Sequence, residues 1–600
     1  MKRFLFCLLA LCMLICFAAC SGIGKEPTDP SATESVEIQI LATSDMHGKF
    51  LPYDYALNAE STGGSLAQVA SFINEVRNDN TILIDCGDTI QGNYAELFLA
   101  DEIHPMIQGL NMMNYDVWVA GNHEFNYGVD NLMNVVSAFE GDFLCGNVYD
   151  ASGATLGANY VIKEIQGIKI AIIGMVTPNI VRWDSQNLKD YTVTDPVEET
   201  KKIIRSIGDE VDIIIAAAHM GEHNEYGVEN SGVYDLADAC PEIDLIIAAH
   251  EHKKIFDIRR NGVLIVENAN EGKSVAQITF TVEKTAEGVV VKSCDAVSVS
   301  MENYTADQSI VDATMAADAK ARANAEVVIG QLINGPLAPA NEITGIPQAR
   351  LEPTAMINLV NEVQLHYTGA KVTASALIID DANLDNGDIR NCDTSQIYKY
   401  TTTLYTVEMT GAQLKQYMEW SAGYYNQYQE GDLTISFNPE SVGYNYDMFY
   451  GVNYKINIAK PAGQRIEDLT WPDGTAVRDE EVFLVAVNSY RATSHLCAYG
   501  SVFREGDTLP TIVEIDVRGE IGGVRELIAD YIKNVKNGLV DAHEIGGLTS
   551  WEIVGNDWDA QWHAKAVQLI NEGKLAIINT ENNRQVNIKS ITMEDVLAVS

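Results

Sequence analysis

The chain has 600 residues, 46% hydrophobic and 21% charged, a globular composition that excludes wholesale disorder. Forty Lys and Arg stand against 84 Asp and Glu, a formal net charge of -44, so a surface that wraps a nucleic acid polymer is excluded as well. A small phosphorylated ligand is not excluded, because a bound cation reverses the local electrostatics.

The first element is Met1-Lys2-Arg3 followed by an apolar run from Phe4 to Ala19, the charged and hydrophobic regions of a signal sequence and too short to span a membrane comfortably. It ends Phe17-Ala18-Ala19-Cys20. Small residues before a cysteine predict a lipoprotein signal peptide over 1–19, cleavage before Cys20 and a lipid on its sulfur. Phe17 stands where Leu is usual, and a plain secretory signal is the alternative. The expectation is an exported protein held at a membrane through its N-terminal lipid alone. No later segment reaches roughly 18 uninterrupted apolar residues. Residues 20–35 are polar and interrupted by Pro27 and Pro30, which predicts a flexible tether. Outside the leader six cysteines remain, Cys86, Cys145, Cys240, Cys294, Cys392 and Cys497, with no CxxC pair. They are expected as buried free thiols rather than a zinc-thiolate site.

From Val36 onward, short apolar runs read as buried strands: 38–42, 81–84, 169–173, 211–216 and 244–248. Helical patterns at 65–77 and 197–207 alternate with them, and 262–300 is rich in strand formers. This predicts a layered α/β domain over 36–300. Residues 306–328, rich in Ala, Asp and Lys, read as a solvated helix within a linker over 301–349. A second, α+β unit follows over 350–600, with helices expected at 353–365, 411–420 and 520–535.

Five strand ends in the first half carry metal-capable residues. They are Asp45-Met46-His47, Gly87-Asp88, Gly121-Asn122-His123-Glu124, His219 and His250-Glu251-His252. Each alone is commonplace in a loop; five in one domain are not. Loops after strands are where α/β domains collect their chemistry, and Asp, His and Asn suit hard to borderline divalent ions.

These motifs, in this order, resemble the calcineurin-like dinuclear metallophosphoesterases. Longer stretches resemble, more narrowly, the cyclic-nucleotide phosphodiesterase branch of the two-domain 5'-nucleotidase family: 87–93, His104-Pro105, 121–128, 398–404, 409–414, 420–423, 451–454 and 488–491. The resemblance implies a four-layer N-terminal domain, a β-sandwich flanked by helices. It also implies a C-terminal 5'-nucleotidase nucleotide-binding domain. Asp45, His47 and His252 would hold one ion, Asn122, His219 and His250 the other, and Asp88 would bridge them. The cofactors implied are two divalent ions, Mn, Zn, Co or Fe, which clamp a phosphate and lower the pKa of a water. His123 would stabilise the transition state or protonate the leaving oxygen, with Asn126 orienting it. Tyr400 and Tyr490 would stack on the base, with Tyr446 in reserve.

The implied reaction opens 2',3'-cyclic nucleotides to 3'-nucleotides and then releases nucleoside and phosphate. The partners are small nucleotides. Two departures from the 5'-nucleotidase pattern favour this branch. Asn126 stands where 5'-nucleotidases carry Asp, and the stretch 377–381 lacks the glycines and arginine of their substrate loop. Arg390 is a conceivable substitute for that arginine. The competing readings are a 5'-nucleotidase or UDP-sugar hydrolase, a cyclic-dinucleotide phosphodiesterase, and a surface lipoprotein that binds nucleotides without turnover.

Overall fold

A computed structural model describes residues 34–599 apart from 226, 227, 401, 516, 519, 520, 582 and 583. The expected leader and Cys20 lie outside the described residues. In chain order the first half runs β1 (Glu34–Thr43), α1 (Leu66–Val76), β2 (Thr81–Asp85), α2 (Pro105–Met112), β3 (Val117–Val119) and β4 (Asp142–Leu144). It continues with β5 (Tyr160–Ile165), β6 (Ile168–Val176), α3 (Ile180–Trp183), α4 (Pro196–Ile207), β7 (Ile213–His219), α5 (Val233–Ala239) and β8 (Leu245–Ala248). It closes with β9 (Ile255–Arg260), β10 (Val263–Glu267), β11 (Ser274–Thr285) and β12 (Gly288–Ser300).

These strands form two six-stranded sheets, ordered β12-β11-β1-β2-β3-β4 and β9-β10-β8-β7-β6-β5. Strand alternation explains the four layers. In β1, Val36, Ile38, Ile40 and Ala42 face the second sheet, where they meet Ile170, Ile172, Ile213, Ile215 and Ile247. Leu41, on the other face, packs with Leu66, Phe72 and Ile107 of the helices outside the first sheet. Likewise Ile214, Ala216 and Ala218 turn outward onto Val197, Ile203 and Leu236 of α4 and α5. Strands buried on both faces must be apolar throughout, which is why they read as continuous runs.

Strands β1, β2 and β3 are parallel, with Thr43 opposite Asp85 and Asp85 opposite Trp118. Strands β6, β7 and β8 are parallel too, with His219 opposite Val176 and Ala218 opposite Ala248. All the motif loops therefore leave their strands at carboxyl ends.

Helix α6 (Gln308–Ala325) covers the stretch expected as a solvated helix. One of its faces is docked rather than solvated. Ile310, Ala321 and Ala325 lie in the core between the first sheet and its helices, and the Tyr55 hydroxyl donates to Asp318 at 2.7 Å. The alanines are small enough to let the helix lie close to α1 and α2.

The second half is built on a five-stranded sheet. Its members are β13 (Val372–Ala376), β14 (Leu404–Thr410), β15 (Asp447–Tyr450), β16 (Val482–Asn488) and β17 (Thr511–Glu514), in the order β15-β13-β16-β14-β17. Helices α7 (Ala355–Thr368) and α8 (Gly411–Ala422) cover it. The two halves meet at α3, where the Tyr405 hydroxyl donates to the Arg182 carbonyl at 3.1 Å, and at Arg525, whose guanidinium lies 5.8 Å from the Tyr94 ring. The six described cysteines are free; five are buried and Cys497 is half-buried. Among the described residues no helix is long and apolar enough to cross a membrane.

Candidate dinuclear metal centre

Backbone hydrogen bonds zip the motif loops together before any side chain acts. The Asp45 N–H donates to the Gly87 carbonyl at 2.8 Å and the His47 N–H to the Asp88 carbonyl at 2.9 Å. Glu124 ties in the third loop. Its buried carboxylate accepts from the backbone N–H groups of Asp88 (2.8 Å), Gly121 (2.7 Å), Thr89 (2.7 Å) and Ile90 (3.3 Å). Close approach explains two glycines. A Cβ on Gly121 would lie 2.3 Å from Asp88 Oδ1, and one on Gly87 2.4 Å from the Gly121 nitrogen. The loops are also strained. Asp45, His47, Asp88, His250 and His252 all have positive φ, between 45° and 86°, a region that non-glycine residues occupy at a cost of about 1–3 kcal/mol each.

The seven residues expected as ligands converge at this edge. Asp45, His47 and His252 form one cluster, and Asp88, His219 and His250 a second. Asn122 belongs with the second, its Oδ1 2.8 Å from His250 Nδ1 and 3.1 Å from His219 Nε2. The clusters adjoin, with His219 Nε2 3.1 Å from Asp88 Oδ2 and 4.0 Å from Asp45 Oδ1.

The donor set fits cations. His47 Nε2 and His252 Nε2 face each other at 3.1 Å, and His252 Nε2 is 3.5 Å from Asp45 Oδ1. Donors sharing one ion at about 2.1 Å stand roughly 3.0–3.4 Å apart, so these spacings suit common ligation. Asp45 Oδ2 is buried with no hydrogen-bond partner, an arrangement that a cation would satisfy.

Neighbouring groups fix the imidazole orientations. His219 Nδ1 donates to the Cys86 carbonyl at 2.7 Å, and His47 Nδ1 to Gln91 Oε1 at 3.0 Å, leaving each Nε2 for an ion. His250 is turned the other way. Its Nε2 meets Glu225 Oε1 at 2.6 Å, so Nδ1 faces the cluster. Glu225 is held in turn by Asn179 Nδ2 at 2.8 Å and Thr177 Oγ1 at 3.0 Å.

Burial lowers the pKa of His47, and that of His252 to about 4, keeping both neutral as ligands must be. For His219, burial is outweighed by the Asp88 carboxylate, which holds it up at about 10. Burial acts to raise Asp88, yet His219 keeps it well below the usual range. A cation among these groups would replace the His219 proton, which couples binding to pH.

His123 stands beside the clusters, its Nε2 4.0 Å from Asp88 Oδ2. Asn126 Oδ1 lies 2.7 Å from His123 Nδ1. Tyr400 and Tyr490 lie at one end of the β14–β16 pair, where the Ser489 N–H donates to the Thr403 carbonyl at 2.8 Å. Both rings are exposed, 47% and 42%, unlike the core tyrosines. Tyr446, the reserve candidate, is buried and stacked on Tyr424 with centroids 4.9 Å apart, so it offers no free face. Arg390 sits on a separate three-stranded sheet, its Nη1 2.9 Å from Glu326 Oε2. In the stretch 377–381, Asp380 pairs with the buried Arg350. Sequence reasoning gave no role to Glu124, Gln91 or Glu225. Glu124 and Gln91 stand inside the motif stretches 121–128 and 87–93, whereas nothing local in the sequence distinguishes Glu225 from the many other acids.

Two adjoining Asp/His/Asn clusters at one edge of a four-layer sandwich define a calcineurin-like metallophosphoesterase, a hydrolase acting on ester bonds. Residues 38–254 match the calcineurin-like phosphoesterase family and residues 314–496 the 5'-nucleotidase C-terminal domain. The chain belongs to the two-domain 5'-nucleotidase family, with a metallophosphoesterase N-terminal domain and a 5'-nucleotidase C-terminal domain.

Among its relatives, the trifunctional nucleotide phosphoesterase protein YfkN of Bacillus subtilis is 30% identical over 78% of this chain, which spans only 37% of YfkN. The 2',3'-cyclic-nucleotide 2'-phosphodiesterase/3'-nucleotidase of Haemophilus influenzae is 29% identical over 87% of this chain and 88% of its own length. A crystal structure of a Staphylococcus aureus protein described as a 5'-nucleotidase shares the fold, with a TM-score of 0.66, 23% identity, and coverage of 86% of this chain and 100% of that one.

Proposed function

We propose that this protein hydrolyses 2',3'-cyclic nucleotides to 3'-nucleotides and then to nucleosides and phosphate. The observation that carries the reaction class is the completeness of the two clusters, with a further imidazole, His123, beside their shared Asp88. Asp45, His47 and His252 would hold one ion and Asn122, His219 and His250 the other, with Asp88 between them. Two divalent ions bound there supply Lewis-acid polarisation of phosphoryl oxygens and a water of lowered pKa. The chain's own residues do the rest. Neutral imidazoles keep the site's charge positive enough to admit a phosphate against the acidic surface. His123, with Nδ1 held by Asn126, presents Nε2 to stabilise charge on, or deliver a proton to, the leaving ester oxygen. Tyr400 and Tyr490 offer exposed rings for the base.

The cyclic-nucleotide branch is supported by Asn126 and by the activity in the name of the Haemophilus influenzae relative, 88% of whose length this chain covers. Export and lipid anchoring at Cys20 are part of the same proposal and rest on the leader sequence alone.

The test is phosphate release by the purified protein loaded with Mn²⁺ or Co²⁺, on 2',3'-cyclic AMP, 3'-AMP, 5'-AMP and a UDP-sugar. Fastest turnover of the first two is expected. Preference for 5'-AMP or the UDP-sugar would move the protein to the 5'-nucleotidase branch. No turnover with both metals bound would make it a nucleotide binder.

A further inference from the structure

We propose that Asp184 is a positioning residue for His123, acting through Asn126; this rests on the phosphoesterase reading of the site. An asparagine amide has two ends of nearly equal shape, one an acceptor and one a donor. Which end faces an imidazole decides which ring nitrogen keeps its proton. Asn126 alone leaves that choice open.

Asp184 closes it. The Asn126 Nδ2 lies 3.1 Å from Asp184 Oδ2 and 3.3 Å from Oδ1. A carboxylate only accepts, so the amide nitrogen has to face it. The amide oxygen is thereby turned to His123, 2.7 Å away, where it accepts from Nδ1–H. Nε2 is left as the end presented toward Asp88 and the clusters, so the second proton of the imidazolium form, the one available to the leaving oxygen, sits there. The reverse amide orientation would set two acceptors, Asn126 Oδ1 and the carboxylate, about 3 Å apart in a half-buried place, at the cost of an unmade hydrogen bond.

The surroundings hold Asp184 in that position. It is 4% exposed and directly follows α3. Asn187 Nδ2 donates to Asp184 Oδ1 at 3.3 Å and to the carbonyls of Phe125 and Asn126 at 2.9 Å and 3.1 Å. That single amide ties the turn carrying Asp184 to the backbone carrying Asn126. Helix α3 itself is anchored from two sides. Trp183 lies against the His250 ring at 5.6 Å, and the Arg182 carbonyl accepts from Tyr405 of the second domain. Asn126 therefore works with a carboxylate set one residue further out. The chain retains an acid behind its histidine although position 126 carries none.

The experiment uses the full, metal-loaded protein, with metal content measured for every variant. Asp184→Ala is expected to lower kcat about tenfold or more while KM stays within about threefold and both metals are retained. Asn126→Asp alone sets two carboxylates face to face and is also expected to be slow. Asn126→Asp combined with Asp184→Asn exchanges acid and amide, and is expected to restore kcat to within about threefold of the parent. A structural role for Asp184 would not produce that rescue.

Two kinetic outcomes would overturn the proposal: Asp184→Ala within about threefold of the parent, or an exchange variant no faster than Asn126→Asp. If Asp184→Ala fails to fold, the comparison of Asn126→Asp with the exchange variant still decides. Rates are read as ratios on whichever nucleotide the parent turns over fastest. A parent preferring 5'-AMP thus refutes the substrate assignment and leaves this test intact. Nitrogen-15 spectra of histidine-labelled protein give a readout independent of turnover. A neutral His123 that is Nδ1-protonated in the parent and becomes a tautomer mixture in Asp184→Ala supports the proposal; an unchanged tautomer refutes it.

Discussion

At the scale of single residues, the site depends on orientation more than on identity. His47 and His219 present Nε2 to their clusters and His250 presents Nδ1, because Gln91, the Cys86 carbonyl and Glu225 each take the other nitrogen. The tyrosines invite a similar distinction. Tyr400 and Tyr490 are the kind of exposed ring that a nucleobase stacks on, at about 1–3 kcal/mol per base. Tyr400→Ala is expected to raise KM for 3'-AMP by about tenfold or more and to leave kcat nearly unchanged. A base-free aryl phosphate should show little change in KM. Steady-state kinetics on the two substrates checks this, and equal effects on both would refute stacking. What the sequence showed at this scale was the list of donors. Their tautomers were not legible, because a histidine's free nitrogen is set by a neighbour that can lie anywhere in the chain.

At the scale of elements, the apolar runs and helical periods located strands and helices well, since burial on both faces leaves a continuous signature. Helix α1, expected at 65–77, spans Leu66–Val76 behind a Ser65 cap. The four-residue α3 left no comparable pattern, yet it carries Trp183 and precedes Asp184. Capping provides a pH-dependent test in α2. His104 caps that helix, its Nδ1 accepting from the Met106 N–H at 3.2 Å while Nε2 donates to the Ala95 carbonyl at 3.0 Å. Only the Nδ1 cap requires the neutral ring; burial lowers its pKa to about 4, partly opposed by the Ala95 carbonyl, which accepts from the charged ring equally, and by Asp101. The folded value lies below the unfolded one of about 6.5, so the unfolded chain binds the proton first as pH falls. The His104 contribution is therefore present above about pH 6.5 and is lost as pH falls toward 4, by up to about 3 kcal/mol. His104→Asn keeps an acceptor at the cap and does not titrate. Denaturant unfolding near pH 7 and near pH 5 should show a smaller acid loss for this variant than for the parent; identical losses would refute the assignment.

At the scale of the whole molecule, the acidic surface and the phosphate site coexist because the positive charge would be local, supplied by ions held among neutral imidazoles. The two halves touch beside that site, through Tyr405 on α3 and Arg525 over Tyr94. Under the proposed function, chemistry in the first domain and base recognition in the second would share one border. Anchoring also belongs to this scale. If Cys20 carries a lipid, a Cys20→Ser variant is expected to leave the membrane fraction while keeping its activity. Fractionation with labelled palmitate checks this; parent protein that takes up no label would refute lipidation.

The sequence by itself determined the layered α/β class of the first half, the α+β second half, and the donors in their order along the chain. Those features are local: burial periodicity and residue chemistry can be read over a dozen positions. Only the tertiary structure decided that five strand ends meet at one edge, that five of the ligand candidates sit in left-handed backbone, and that Glu124, Glu225 and Asp184 stand behind them. Such pairings join residues tens to hundreds of positions apart, and they arise from sheet order and loop strain. A carboxylate behind a histidine looks, in sequence, like any other acid on an acidic chain.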